Sequence, residues 1–141
     1  MPPPPTGLDA SLPPAAASPA AASPRPGEAA ERLAERYLAA RGLDLVARNF
    51  RCRFGELDLV CLDADVLVIV EVRQRARRDF GGALASVTAA KRRKIIRAAK
   101  IFLSRHGQWR AHRVRFDVIG VQGRADAAQD VIWIKAAFGG A

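Results

Sequence analysis

Soft-metal ligands and membrane-length apolar runs are both scarce in this 141-residue chain. Histidine and cysteine occur twice each, and Cys52 and Cys61 have no Cys-x-x-Cys or Cys/His spacing around them. That argues against a zinc centre and for free thiols in a reducing cytosol. No run is long or apolar enough to span a bilayer, and the first residues lack the basic start and apolar core of a signal peptide. A cytoplasmic protein with no membrane partner is therefore expected. Proline is missing after Pro26: all nine prolines lie between Pro2 and Pro26, in a stretch otherwise mostly Ala and Ser. Such a segment has no apolar periodicity with which to offset the entropy of ordering, so residues 1–26 are expected to form a disordered or polyproline-like tail. The domain is then 27–138, with 139–141 as a flexible C-terminus.

What the domain does have is positive charge. The tail holds one base, Arg25, and one acid, Asp9, so the net +9 resides in the remainder. A compact basic domain attracts polyanions, most often nucleic acid, by releasing their counterions. A generally Arg-rich composition is the plainer account, since only four of the 23 bases are lysines.

Helical spacing of Leu33, Ala34, Tyr37 and Leu38 predicts a helix over 27–41, stopped by Gly42. Strands are expected at Leu43–Asn49, Glu56–Leu62 and Val66–Gln74, joined by the turns around Arg53-Phe54-Gly55 and Asp63-Ala64-Asp65 into an antiparallel meander. The third is apolar on both faces up to Glu71, the pattern of a central strand covered on both sides. A basic, flexible stretch with Gly81-Gly82 leads to a long helix, N-capped by Thr88 and ending near His106. Strands at Val114–Val121 and Val131–Lys135 complete the order α-β-β-β-α-β-β. This is an α+β fold, an α/β sandwich with a mixed sheet flanked by helices.

Glu71 continues the strand face that holds Leu67 and Ile69, where a carboxylate is costly unless a cation meets it. Arg73, next on that face, can be that cation. Asp58 lies on the preceding strand, on the face of Val60 and Leu62. Neighbouring strands are ~4.8 Å apart, so the two acids can share one Mg²⁺ or Mn²⁺ ion, which takes one or two carboxylates plus waters and a phosphate. Taken alone the pattern is weak, and a plainer account has Asp58 ending a hairpin and Glu71 pairing with Arg73. On the first helix Glu31 points within roughly 20° of Leu38, at the border of the buried stripe. It is better placed to reach the sheet than Glu28 or Glu35. Glu56 ranks below these acids, and Asp117 is expected to pair with an arginine of the sheet. Nine bases and one acid lie between Arg73 and Arg97. Arg75, Arg77, Arg78, Lys91, Arg92 and Lys94 among them are candidates for phosphate contact, as no acids at i±4 neutralise the Lys91–Arg97 turn.

Gly27, Glu31, Tyr37-Leu38, Arg48-Asn49, Gly55-Glu56-Leu57-Asp58, Val70-Glu71-Val72-Arg73, Phe80-Gly81, Lys91 and Arg115-Phe116-Asp117 occur in the order and spacing of one family. The chain resembles the YraN-like family of uncharacterised bacterial proteins, itself similar to archaeal Holliday-junction resolvases of the restriction-endonuclease-like superfamily. The resemblance covers nearly all of 27–138. It implies a restriction-endonuclease-like core, with Glu31, Asp58, Glu71 and Arg73 as catalytic residues and Asp58 and Glu71 as ligands of Mg²⁺ or Mn²⁺. The substrate it implies is DNA rather than RNA, branched or a repair intermediate, and resolvase relatives act as homodimers. Two departures stand out. Ala30 replaces a glycine before the helix glutamate, which only favours the helix. Arg73 occupies the position of the relatives' lysine, and arginine cannot release a proton at neutral pH. Lys91 can supply an amine instead. The alternative is a nucleic-acid-binding protein that keeps the nuclease fold with weak or absent catalysis. A third reading, a scaffold whose tail engages a protein partner, rests on the tail alone.

Overall fold

The computed structural model describes residues 27–75, 80–123 and 131–139. The tail expected at 1–26, together with Arg77 and Arg78, lies outside the described residues. The elements in chain order are α1 (Glu28–Ala39), β1 (Asp44–Cys52), β2 (Gly55–Asp63), β3 (Val66–Arg75), α2 (Phe80–Ala85), α3 (Ala89–Arg105), β4 (Arg113–Gln122) and β5 (Val131–Phe138). The five strands form one sheet in the order β1-β2-β3-β4-β5. The first three make the antiparallel meander, β3 and β4 run parallel, and β5 returns antiparallel to β4. A parallel pair needs a crossover, and α2 and α3 supply it.

The sheet separates two apolar layers. On one face α1 lays Ala30, Leu33, Ala34 and Leu38 over Leu59, Cys61, Val68, Val70, Ile119 and Val121. On the other, Ile95, Ala98, Ala99 and Phe102 of α3 cover Leu57, Val60, Leu67, Ile69 and Val118. The alternate residues of β3 are thus buried on opposite faces, and each such side chain contributes about 1.5–3 kcal/mol relative to exposure. Gly42, at φ 93°, turns the chain out of α1 in a conformation that favours glycine. Thr88 caps α3 by accepting the Lys91 backbone N–H at 3.2 Å.

Helix α2 differs from the flexible lead-in expected around Gly81-Gly82. Two glycines weaken a helix by propensity, but packing overrides them here. Ala83 is fully buried, and a Cβ on Gly120 would lie only 2.7 Å from its methyl carbon. The missing side chain at Gly120 is what lets α2 close onto β4. The fifth strand also runs three residues further than expected, to Phe138, which stacks on Phe116.

Candidate active site

Strands β2 and β3 stay paired from Asp63–Val66 up to Leu59–Val70, and there the regular register ends. One step further Asp58 would face Glu71. Instead the Asp58 carboxylate accepts the backbone N–H of Val72 at 2.8 Å, taking the place of a strand partner. Side-chain alternation also breaks at this point. Leu57 packs into the α3 layer, whereas Leu59, two residues on, packs into the α1 layer. Across the β1–β2 ladder, the residue between the pairs Arg48–Leu59 and Phe50–Leu57 is Asn49, whose φ is +53°. Left-handed backbone at Asn49 lets consecutive residues serve the same side: Arg48 pairs with Glu35 of α1, and Asn49 donates to Glu31 of α1. The expectation that Asp58 shares the face of Val60 and Leu62 is therefore corrected. The strand twists at Asp58 and turns its carboxylate toward β3.

Two acids meet at this fork, and a third, Glu31, is near enough for its charge to act on Asp58. Asp58 and Glu71 are 6% and 4% exposed, and the charge of Glu71 acts on Asp58. Burial above all, then the charge of Glu71, pushes the Asp58 carboxyl up to about 8. The charge of Glu31 adds to the shift, and the Val72 N–H opposes it. Asp58 thus retains its proton near neutral pH. Glu31 approaches from α1, with its Oε1 held by Asn49 Nδ2 at 3.0 Å.

Two cations converge on the same oxygen of Glu71. Arg73 Nη1 lies 3.4 Å from Oε2, and Lys91 Nζ lies 3.5 Å from it. Arg73 is fixed by its Nε donating to Ser86 Oγ at 3.0 Å, and Ser86 in turn donates to the Ala83 carbonyl at 2.7 Å. Ser86 went unremarked in the sequence, and Asn49 was noted only as part of the family pattern, because neither residue type signals a role until its contact is known.

Other candidates are placed elsewhere. Glu56 pairs with Arg51 at 3.1 Å and stays apart from the fork. Asp117, fully buried, accepts from both Arg115 nitrogens, from Trp133 Nε1 and from the Ala136 N–H, which is the structural pairing expected of it. Arg92 donates to the Val87 carbonyl and lies over Phe138, so its guanidinium is engaged within the fold. Lys94 is exposed on α3. Arg75 ends β3, its carbonyl accepting the Gly123 N–H. A cleft of about 330 Å³ between β1 and the end of α3, lined by Asp44, Leu45, Phe102, His106 and Trp109, contains none of Glu31, Asp58 and Glu71.

The donor set suits a hard cation. Among the described residues no group of three or more His, Cys, Asp or Glu side chains is arranged to hold a metal ion. The chain offers two carboxylates, which is the usual protein contribution to a Mg²⁺ site completed by waters and phosphate. Two buried carboxyls, one of them keeping its proton, are also a place where a cation can replace that proton.

Comparison with known proteins finds relatives along most of the chain. The sequence profile described as "Uncharacterised protein family UPF0102" matches residues 30–121. The chain is 51% identical over 114 residues to a UPF0102 protein of Pseudomonas putida F1, covering 81% of this chain and 93% of that one. It is 51% identical over 112 residues to one from Methylobacillus flagellatus, covering 79% and 95%. A third, from Stutzerimonas stutzeri, is 49% identical over 112 residues, covering 79% and 92%.

Proposed function

The chain belongs to the UPF0102 family, and we propose that it is a Mg²⁺- or Mn²⁺-dependent endonuclease that hydrolyses phosphodiester bonds in DNA, at branched or repair intermediates. The observation that carries this reading is the buried Asp58–Glu71 pair, with Arg73 and Lys91 both directed at Glu71. A structural ion pair needs one acid and one base. Two acids forced together in a buried fork destabilise the fold, and such a cost points to chemistry. Asp58 and Glu71 would hold the ion, which when bound activates a water and neutralises charge developing on the phosphate.

The remaining groups divide the other tasks. Arg73, braced by Ser86, presents a fixed guanidinium to phosphate oxygens and stabilises negative charge there. It cannot take or give a proton, whereas Lys91, whose amine shares the same Glu71 oxygen, can. Lys91 thereby stands where the lysine of the resolvase relatives is missing from the strand. Glu31, oriented by Asn49, adds negative charge beside Asp58 and strengthens the attraction of the site for a cation. Helix α2 and the first turn of α3 position the two cations, and the basic residues Arg75, Lys91 and Lys94 contact the nucleic-acid backbone without regard to sequence.

The arginine at position 73 favours a second reading, a DNA-binding protein with weak catalysis. One experiment separates the two. Purified protein is incubated with labelled linear, flap and four-way DNA in Mn²⁺, with Glu71→Ala as control. Cleavage by wild type but not by the variant supports the nuclease. Binding without cleavage by wild type supports the second reading, and a gain of cleavage in Arg73→Lys would identify the arginine as its cause.

A further inference from the structure

Phe54 occupies the tip of the β1–β2 hairpin and is half-exposed. Every other Phe, Tyr or Trp whose side chain is described packs into one of the two apolar layers; Phe54 joins neither. Core packing therefore does not account for this ring. Its neighbours are cations: the Arg53 guanidinium lies 4.9 Å from the ring centroid and that of Arg97 lies 5.5 Å away. Gly55, at φ +147°, adopts a conformation that disfavours a side chain, and the position of its absent Cβ is 3.6 Å from Lys94 Cβ. The hairpin tip is thereby held against α3.

Lys91, Lys94 and Arg97 follow one another at three-residue spacing and share one side of α3. The first touches Glu71, the second abuts the hairpin, and the third flanks Phe54. At 1.5 Å per residue this stripe is about 9 Å long. It runs from the acid pair to the aromatic tip. Neither Lys94 nor Arg97 has an acidic partner among the described residues. A row of cations, two of them without an acidic partner, ending on a partly exposed ring has the make-up of a surface for single-stranded nucleic acid, in which cations follow the phosphates and an aromatic side chain stacks on a base.

We propose that Phe54 stacks on an unpaired base a short way along the strand from the phosphate held at the fork, so that the chain prefers DNA in which a strand parts from its duplex. A base inside a continuous duplex already has both faces stacked and cannot receive the ring. A flap, a fork or a junction offers one that can. This inference rests on the nuclease reading for its register with the acid pair.

Its test is made on the full-length protein in EDTA, where binding is read without turnover. Forked DNA carries 2-aminopurine at successive positions of its unpaired arm, and linear duplex serves as reference. Wild type should quench the fluorophore at one or two positions and bind the fork more tightly. Phe54→Ala should lose the quench and about tenfold of the preference, in line with one base stacked on an aromatic ring. Phe54→Trp should keep both. Melting temperatures should be unchanged, because neither apolar layer is touched. Lys94→Ala and Arg97→Ala should weaken fork and duplex alike and flatten the salt dependence. Equal affinity of wild type for fork and duplex, or an unaltered quench and preference in Phe54→Ala, would overturn the proposal. Absence of cleavage in Mn²⁺ alongside an intact Phe54 effect would remove the nuclease reading alone.

Discussion

Replacing Asp58 by Asn should make the metal-free protein more stable, which is the reverse of what a buried hydrogen-bonded residue ordinarily shows. The folded Asp58 carboxyl keeps its proton up to about 8 because it is buried beside Glu71; in the unfolded chain an aspartate loses its proton near 3.9. Between those values the unfolded state binds fewer protons than the folded one, so stability falls as pH rises. The penalty is absent below about pH 4 and complete above about pH 8. At pH 7 roughly three units of the interval have been crossed, and at 1.36 kcal/mol per unit the cost is on the order of 4 kcal/mol. Asparagine keeps the acceptor for Val72 N–H, which lies 2.8 Å from the carboxylate, and its amide can donate to Glu71 without a proton having to be retained. The variant should therefore melt about 10 °C higher than wild type at pH 7. The gap should shrink steadily as the pH is lowered toward 5. Melting curves of both proteins at pH 5, 6, 7 and 8 in EDTA read this directly. A variant that melts lower than wild type, or a gap independent of pH, would refute the electrostatic account of the fork.

Lys91→Met removes the amine while keeping the aliphatic stem; single-turnover cleavage in Mn²⁺ should fall by about a hundredfold, in the range for loss of a proton-transfer group. Unimpaired cleavage would assign Lys91 to binding alone. Gly120→Ala places a methyl 2.7 Å from Ala83 Cβ and 3.0 Å from Ile132 Cγ2, and overpacking of this kind costs about 1–3 kcal/mol. A denaturant midpoint equal to wild type would show that α2 yields freely. Cys61, whose thiol burial and the nearby charges of Glu35, Asp117 and Asp44 push up to about 12, should resist alkylation at pH 8 in the folded protein. Mass spectrometry after brief iodoacetamide treatment should find any label on Cys52, and early modification of Cys61 would contradict its burial.

Much of this architecture was legible from pattern. The helical spacing around Leu33 and Leu38, the Thr88 cap and the two-faced apolar strand ending at Glu71 each have a local cause, and the structure places them accordingly. Glu71, Arg73 and Asp58 were legible as neighbours because strand alternation and a short turn bring them together. Two features were not. Helix α2 exists because Gly120, on a strand some 40 residues later, leaves room for Ala83, and no local window contains both. The turning of Asp58 toward β3 goes with Asn49 at φ +53° opposite it, a conformation that Asn tolerates but does not announce. Lys91 was singled out for its place in the family pattern and the basic run and for the scarcity of lysine; its 3.5 Å approach to Glu71 depends on how α3 packs against the sheet. The role of Phe54 could have been suspected only from an aromatic standing in a turn between arginines.

The most direct test of the fork is a calorimetric titration of the protein with Mn²⁺ at pH 7, repeated in two buffers of different ionisation enthalpy. If the ion takes the place of the proton retained on Asp58, binding should release close to one proton per Mn²⁺, and Asp58→Asn should abolish both the release and the binding. Absence of binding, binding with no proton released, or binding that Asp58→Asn leaves intact would contradict a metal-holding carboxylate pair.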